Sequence, residues 1–511
     1  MNRLSLILRN VRHHRRRHAG TVLGAATATA ILTASMIVGD SVRSSLRDLA
    51  LRRLGRTDLA VESGDRRFRA ALDADAARAL GRDTAAVLAV PGSAAAPDSG
   101  LRAPQVTLVG ADAALDRFAD APPGFGNLAE GEAFVNTPLA ERLGLRTGDP
   151  LVLRFARAGA LPADVPMGNE SDAWTSLRVV VKAVLDDARL GRFSLRATQA
   201  APLSVFLPRE HLAGRMEAPG RANVLLAAVS NGPPTADPSG ANAALAGART
   251  LADHELEIRA LTNAPVGGVE LRTSRVFLDP AVVEAALSAA PGGEPSLTYI
   301  VNSLVTGTNA CPYSFVAGVA GAPLPEGMGD DEIAIGAWLA DDLGVAPGGR
   351  VTLAYFVLGP DQRLVETQRE FRVRAVLPLS GAAADPSWMP DFPGIRDAGR
   401  CGDWTPGIPL DLKRIRQKDE DYWAARRGTP KAFITLAAAR SMWSNRFGTA
   451  TAVRWPGTPH PGASAAAATA GRGLTDPGPA TLAAAILSRL PAASAGRSEE
   501  RRVGKECRSR W

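Results

Sequence analysis

The residues able to do chemistry are few and widely spaced. Beyond a cluster at positions 13, 14 and 18, the only histidines are His211, His254 and His460, too scattered in sequence to suggest a site. HELEI (254–258) opens like a zinc-protease helix but lacks the second His that would complete the metal's ligands. DED (419–421) reads as a solvated turn rather than a metal site. No GxxxxGK[ST] occurs to cradle nucleotide phosphates, and no GxSxG elbow to present a serine. GFGNLA (124–129) fits a loose GxGxx[GA] pattern but follows Pro122-Pro123 instead of a strand, so it reads as a turn. The three cysteines, Cys311, Cys401 and Cys507, contain no CxxC and exclude a disulfide-dense scaffold. Cys311 and Cys401 either pair in an oxidising compartment or stay two separate thiols; the residues favour neither. The expectation is a chain that carries no catalytic, cofactor-binding or metal-binding residue.

Charge narrows the partners. The net charge is +7, but residues 1–18 hold six Arg and no acid, and residues 497–511 hold six Lys or Arg against three Glu. The long middle is therefore slightly acidic. A nucleic-acid binder needs a basic face to displace counterions from phosphates, and the middle offers none. Lysine occurs only at 182, 413, 418, 431 and 505, against abundant Arg, Ala and Gly.

The elements that organise these residues begin with a membrane anchor. Leu4, Ile7, Leu8 and Val11 share one helical face, with Arg3, Arg9 and Arg12 off it, as in a helix lying in the lipid interface. RHHRRRH (12–18) follows as a basic collar, and its histidines belong to that collar rather than to a metal site. Residues 19–39 are charge-free and close to the roughly 20 needed to span the hydrocarbon. That exceeds a signal peptide's apolar region of about 7–15 residues, and helical spacing continues through Val42, Leu46 and Leu49. We expect a retained transmembrane helix (19–39) running into a stalk (40–56), with the N-terminus cytoplasmic. Gly20, Gly24 and Ala28 fall four apart, a stripe of small residues that lets another helix approach closely in lipid.

The remainder looks duplicated. EAFVNTPLAERLGLRTGDPLVLRF (132–155) and EIAIGAWLADDLGVAPGGRVTLAY (332–355) align without a gap at an offset of 200. Each reads strand, short helix, Gly turn and strand, with Gly144 and Gly344 closing the helices and Gly148 and Gly348 at turns that need positive φ. The match extends to VVVKAVL (179–185) with FRVRAVL (371–377), and APLSVFLP (201–208) with TPKAFITL (429–436). It also pairs NVLLAAV (223–229) with TATAVRW (449–455), DLAVESGDRRFRAAL (58–72) with VELRTSRVFLDPAVV (269–283), and VTLVGAD (106–112) with YSFVAGV (313–319). The predicted fold is α+β: the helix and stalk, then an extracytoplasmic domain of two mixed α/β units, 57–230 and 268–455, joined by a connection at 231–267. The second unit gains an insertion at 379–428. Trp388, Trp404, Trp423, Trp443 and Trp455 make that region aromatic-rich, as rings covering an elongated loop's core or, alternatively, as an exposed contact surface.

In this order, the interfacial helix, collar, single span, stalk and [IV]-x-x-x-LA-x-x-LG-[LV]-x-x-G-[DG] exterior resemble the MacB/FtsX-like permease subunits of ABC transporters. FPGI (392–395), DEDYW (419–423), GTPKAFITL (428–436) and RFGTATAVRW (446–455) resemble a branch with an enlarged exterior domain. The resemblance covers about residues 1–490. It implies a cytoplasmic ATPase partner that binds ATP and Mg, a second permease copy or homologue, contact with membrane lipid, and a place in the bacterial inner membrane. A periplasmic partner is a further expectation. It implies export or extraction of lipid, lipoprotein, peptide or drug by movements of the exterior domain. Control of a cell-wall enzyme is the alternative, and a single-pass receptor a third. Family members carry three more membrane helices after the exterior. Residues 456–496 read as a linker and a helix leading toward them. RSEERRVGKECRSRW (497–511) breaks composition and reads as a non-native tail on a truncated gene.

Overall fold

The computed structural model describes residues 3–64, 66–156, 174–196, 200–228, 238–261, 267–359, 364–392, 394–396, 398–405, 408–457 and 478–490. The tail at 497–511, with Cys507, and His460 lie outside them.

Helix α1 (Arg3–His13) is followed, after the turn residue His14, by α2 (Arg15–Arg52). At 1.5 Å per residue α2 is about 57 Å long, against a hydrocarbon core of about 30 Å. It contains an 18-residue window of mean hydropathy 1.8, none of which is buried. Val22, Leu23, Ile31, Leu32, Met36 and Ile37 all point away from protein. Among the described residues it is the one helix long and apolar enough to cross a membrane. Thr27 and Thr29 each donate to the carbonyl four residues back at 2.8 Å, so neither hydroxyl is left bare on that surface. The helix ends at Arg52, slightly short of the expected stalk.

In the first unit, β1 (Thr57–Glu62), β2 (Phe68–Arg69) and α3 (Leu72–Leu80) lead into the long strand β3 (Thr84–Ala95) and β4 (Arg102–Ala111). Next come β5 (Glu132–Asn136), α4 (Thr137–Leu143), β6 (Pro150–Ala156) and β7 (Trp174–Leu185). The unit continues with β8 (Ser204–Pro208), α5 (Arg209–Arg215), β9 (Arg221–Ala222), β10 (Val224–Ala228) and α6 (Pro238–Ala248). The sheet order is β1-β10-β3-β4-β8-β5-β7-β6, and β6 returns to pair with β3. Strands β3, β4, β8, β5, β7 and β6 therefore close a barrel. Strand β3 can serve both ends because Thr84–Val87 pairs with β10 while Gly92–Ala95 reaches β6. Alternation along the strands turns Leu108, Val135, Leu153, Phe155, Val181 and Val205 into one core.

The second unit comprises β11 (Leu256–Ala260), β12 (Gly268–Thr273), α7 (Pro280–Ala289), β13 (Glu294–Thr306), β14 (Asn309–Val319), β15 (Glu332–Gly336) and α8 (Ala337–Leu343). It goes on through β16 (Arg350–Leu358), β17 (Leu364–Leu377), α9 (Gln417–Arg426), β18 (Ala432–Thr435), α10 (Leu436–Trp443), β19 (Ala452–Pro456) and α11 (Pro479–Leu487). Its sheet runs β11-β12-β19-β13-β14-β18-β15-β17-β16, with β16 returning to β13. Apart from the added edge strand β11, the order repeats that of the first sheet strand for strand. The parallel pairs also fall at equivalent places: β4 with β8 and β5 with β7, against β14 with β18 and β15 with β17.

Two boundaries differ from the sequence expectation. The stretch 231–267 is divided between the units. Leu245 of α6 is buried with Phe68, Leu72 and Ala76 of the first unit, whereas β11 is hydrogen-bonded to β12. Helix α11, expected to lead away toward the membrane, buries Leu482 and Ile486 against Val282 and Ala286 of α7. Its apolar face is used in the second unit's own core, as α6 is used against α3 in the first.

Candidate functional site: the helix joint and the centre beneath the insertion

The first feature is the join between α2 and the barrel. After Arg52 the chain turns through Leu54, which is 2% exposed, and Gly55 at φ 54°. The Arg56 N–H donates to the Phe118 carbonyl at 3.0 Å, and the Thr57 N–H to that of Leu54 at 3.1 Å. A Cβ on Gly55 would strike the Phe118 carbonyl oxygen and the Leu190 side chain. Phe118 is itself fully buried in the first unit's second apolar cluster. The end of α2 is thus joined to packed side chains of the first unit by a short, hydrogen-bonded turn.

The second feature is the insertion, which lies over the outer face of β14. Arg454 on β19 pins its start. The guanidinium bonds Glu270 at 2.7 Å, Asp385 at 3.0 Å and Ser387 Oγ at 2.7 Å, and stacks 3.6 Å above the Trp388 ring. Arg272 reaches Asp391 at 2.5 Å. Burial pushes the Glu270 carboxyl upward despite these arginines. Trp388, Trp404, Trp423, Trp443 and Trp455 are all buried, so the rings cover core and are not an exposed contact surface. Trp404 and Trp423 meet edge to face at 4.9 Å.

Beneath the insertion lies a buried charged centre. Lys431, in the loop before β18, places Nζ 3.2 Å from Asp419 Oδ1 and 3.3 Å from Cys311 Sγ. Its ammonium also lies 4.3 Å from the Trp338 ring centroid and 5.0 Å from that of Tyr422. Arg416 bonds Asp419 through Nε at 2.7 Å and Asp342 through Nη2 at 2.7 Å, and Lys418 pairs with Asp342. The DED segment is therefore no solvated turn: it lies in α9, with Asp421 exposed and Asp419 buried between Arg416 and Lys431. Burial works to raise the Asp419 carboxyl, but Arg416 and Lys431 outweigh it and hold it below the usual range.

Cys311 Sγ, Asp342 and Asp419 bring ligand atoms within 4.8 Å of one another. Those carboxylates already face Arg416, Lys418 and Lys431, so a divalent cation would meet three positive charges. This donor set does not suit a metal. The thiols are free and stand on either side of Asp419: Cys311 Sγ is 3.9 Å from its Oδ1, and Cys401 Sγ 3.8 Å from its backbone oxygen. Cys311 and Cys401, the pair that the sequence left open as a disulfide or two thiols, are thus gathered around one residue, Asp419, in the reduced form. Burial raises both thiols, Cys401 to about 12, which keeps them protonated and poor nucleophiles near neutral pH. The adjoining cavity, lined by Tyr313, Cys401, Trp404, Asp419, Tyr422 and Lys431, encloses about 20 Å³, room for roughly one water.

The other sequence-marked residues lie apart from this centre. Nothing approaches within 4 Å of a Cβ built at Gly20 or Gly24, and Ala28 is exposed on the same helix. Gly144 and Gly344 close α4 and α8 in the left-handed region at φ 67° and 64°, and Gly148 and Gly348 turn at 97° and 90°. His211 Nδ1 lies 3.6 Å from Glu130, and His254 is buried elsewhere. GFGNLA forms a short 3₁₀ turn whose Phe125 is buried. Sequence reasoning missed Lys431, Asp342 and Arg416. The scarcity of lysine in an arginine-rich chain was the available signal, since a buried ammonium that can sit against aromatic faces is not interchangeable with a guanidinium.

No family model matches the chain, and no curated protein matches it. Solved structures with a similar fold include the extracellular domain of the noncanonical ABC-type transporter YknZ from Gram-positive bacteria. It is 12% identical, and the match covers 34% of this chain and 84% of that one at a TM-score of 0.21. The periplasmic region of MacB from Actinobacillus actinomycetemcomitans is 8% identical, with 39% and 84% covered and a TM-score of 0.23.

Proposed function

We propose that this chain is a permease subunit of an ABC-type transporter of the MacB/FtsX-like kind, whose exterior domain is moved by ATP hydrolysis on a partner subunit. The observation that supports this reading most is the unbroken path from α2 through Leu54–Arg56 into the first barrel. A span that entered the exterior through a flexible linker would anchor it but could not drive it. On this reading α2 crosses the bacterial inner membrane with its N-terminus in the cytoplasm. Helix α1 and the Arg collar rest on lipid headgroups, and the two exterior units are copies of one ancestral unit. ATP and Mg belong to the ATPase, and the chain contributes no cofactor site of its own. Gly20, Gly24 and Ala28 receive a neighbouring helix, such as that of a second copy in a dimer. The stroke serves export or extraction of a lipid, lipoprotein, peptide or drug, with a periplasmic partner as receiver.

The test is purification of the native full-length subunit from membranes together with its ATPase. The reading expects a stable complex whose ATP hydrolysis falls several-fold when Gly55 is replaced by a flexible Gly-Ser insert of ten residues, with the complex intact. Hydrolysis and substrate movement unaffected by the insert, or a chain released from membranes by alkaline wash, would overturn it. Recovery of a cell-wall hydrolase on the exterior domain, with no cargo, would direct the same stroke to enzyme control.

A further inference from the structure

The two exterior units meet across a joint made of ions and hydrogen bonds. Among the described residues no apolar cluster contains members of both units: one ends with Leu245 and Ala248, and the next begins at Leu251. Only Arg249 and Thr250 lie between. On the first unit's side, the two-stranded ribbon of β2 and β9 sets Arg69 opposite Arg221. Asp253, whose side chain is 1% exposed, comes from the second unit. It accepts from Arg69 Nε at 3.0 Å, Nη2 at 2.8 Å and the Arg69 backbone N–H at 3.0 Å. The same carboxylate accepts from the Thr250 N–H at 2.8 Å and the Thr250 hydroxyl at 3.0 Å. Arg221 donates to the Ala252 carbonyl at 2.6 Å, and Arg66 pairs with Asp279.

We infer that Arg249–Thr250 is a hinge and that Asp253 is its pin, with Arg66 and Arg69 forming a latch that holds the two barrels in one relative orientation. One carboxylate does two jobs: it fixes the turn at the hinge and grips the opposite unit. Because no apolar cluster spans the joint, opening it breaks ion pairs and hydrogen bonds rather than a shared core, so the barrels can part as rigid bodies without either unfolding. A fused core would forbid this. The latch is bidentate and mostly shielded from solvent, which makes it directional and sets a single closed geometry. This inference does not depend on what drives the motion.

The test places spin labels on the full chain at Asp98→Cys and Thr308→Cys, exposed turn positions of the two units, with Cys507→Ser and the buried Cys311 and Cys401 retained. The unaltered latch should give one narrow interlabel distance. Arg66→Ala with Arg69→Ala should add a second distance whose population rises about tenfold or more for each ion pair lost. Arg69→Lys should lie between, and Arg350→Ala, which loses only an exposed pair with Glu370, should change nothing. A distance distribution in the double variant that superimposes on the parent, with its circular dichroism intact, overturns the latch. Should the double variant lose its fold, hydrogen exchange on the parent decides. Amides of Arg69, Thr250 and Asp253 should exchange together through an opening that leaves β3 and β13 protected. Exchange of these amides only with those strands overturns the inference.

Discussion

Asp419 and His254 show how burial sets the behaviour of single residues here. Asp419 satisfies two cations on the inner side of α9, so Asp419→Ala would strand Lys431, which is itself only 5% exposed. Breaking a buried pair from one side costs about 3–5 kcal/mol, and urea unfolding of the second unit should show that loss. The carboxyl is held below its unfolded value, so its contribution is complete above about pH 4 and disappears as pH falls through the folded value. His254 titrates higher. Burial foremost, and then Arg249, push its folded value from 6.5 to about 4. The unfolded chain therefore binds the extra proton between those values, and stability should fall by about 3 kcal/mol as pH drops across that window. His254→Gln should flatten this part of the stability-against-pH curve, measured by urea midpoints, without touching the part due to Asp419.

At the scale of elements, α2 and its joint depend on different chemistry at each end. Ile31 lies near the middle of the apolar stretch and 64% of its surface is open. Ile31→Arg should cost about 3–4 kcal/mol of membrane insertion, read by a glycosylation-site or protease-protection assay. At the other end Gly55→Val should disturb the joint twice over: its φ of 54° disfavours a branched residue, and its Cβ has no room beside Phe118 and Leu190. Limited proteolysis near residues 53–56 should accelerate in that variant, while the second unit keeps its melting temperature.

Two barrels with separate cores should also unfold separately. Phe155 lies inside the first and Phe371 inside the second, each at most 1% exposed. Calorimetry should resolve two transitions. Phe155→Ala should lower one and Phe371→Ala the other, each by about 3–5 kcal/mol of local stability, with little cross-effect. The units also differ in what they cover. Pro104, Gln105 and Thr107 on β4 face solvent, whereas Pro312, Tyr313 and Ser314 on β14 lie under the insertion. One plan has thus been kept open in the first unit and roofed in the second.

The division between what was readable in advance and what was not follows from distance along the chain. Residues 132–155 and 332–355 carried their strand-helix-strand pattern locally, because hydrophobic alternation, a helix and left-handed glycines are set by near neighbours. The charge-free run at 19–39 announced an apolar surface for the same reason. Barrel closure was not legible, since β3 reaches β6 and β13 reaches β16 only through pairings between segments some 50 to 60 residues apart. Nor was the charged centre, which gathers Cys311, Asp342, Asp419 and Lys431 from four separate stretches. The same holds for Asp253, which reads as an ordinary acid until folding brings Arg69 against it. Sequence determined the local elements and the long apolar helix by period and composition. Tertiary structure alone decided which charges are buried and where one unit ends, because burial depends on what the rest of the chain places overhead.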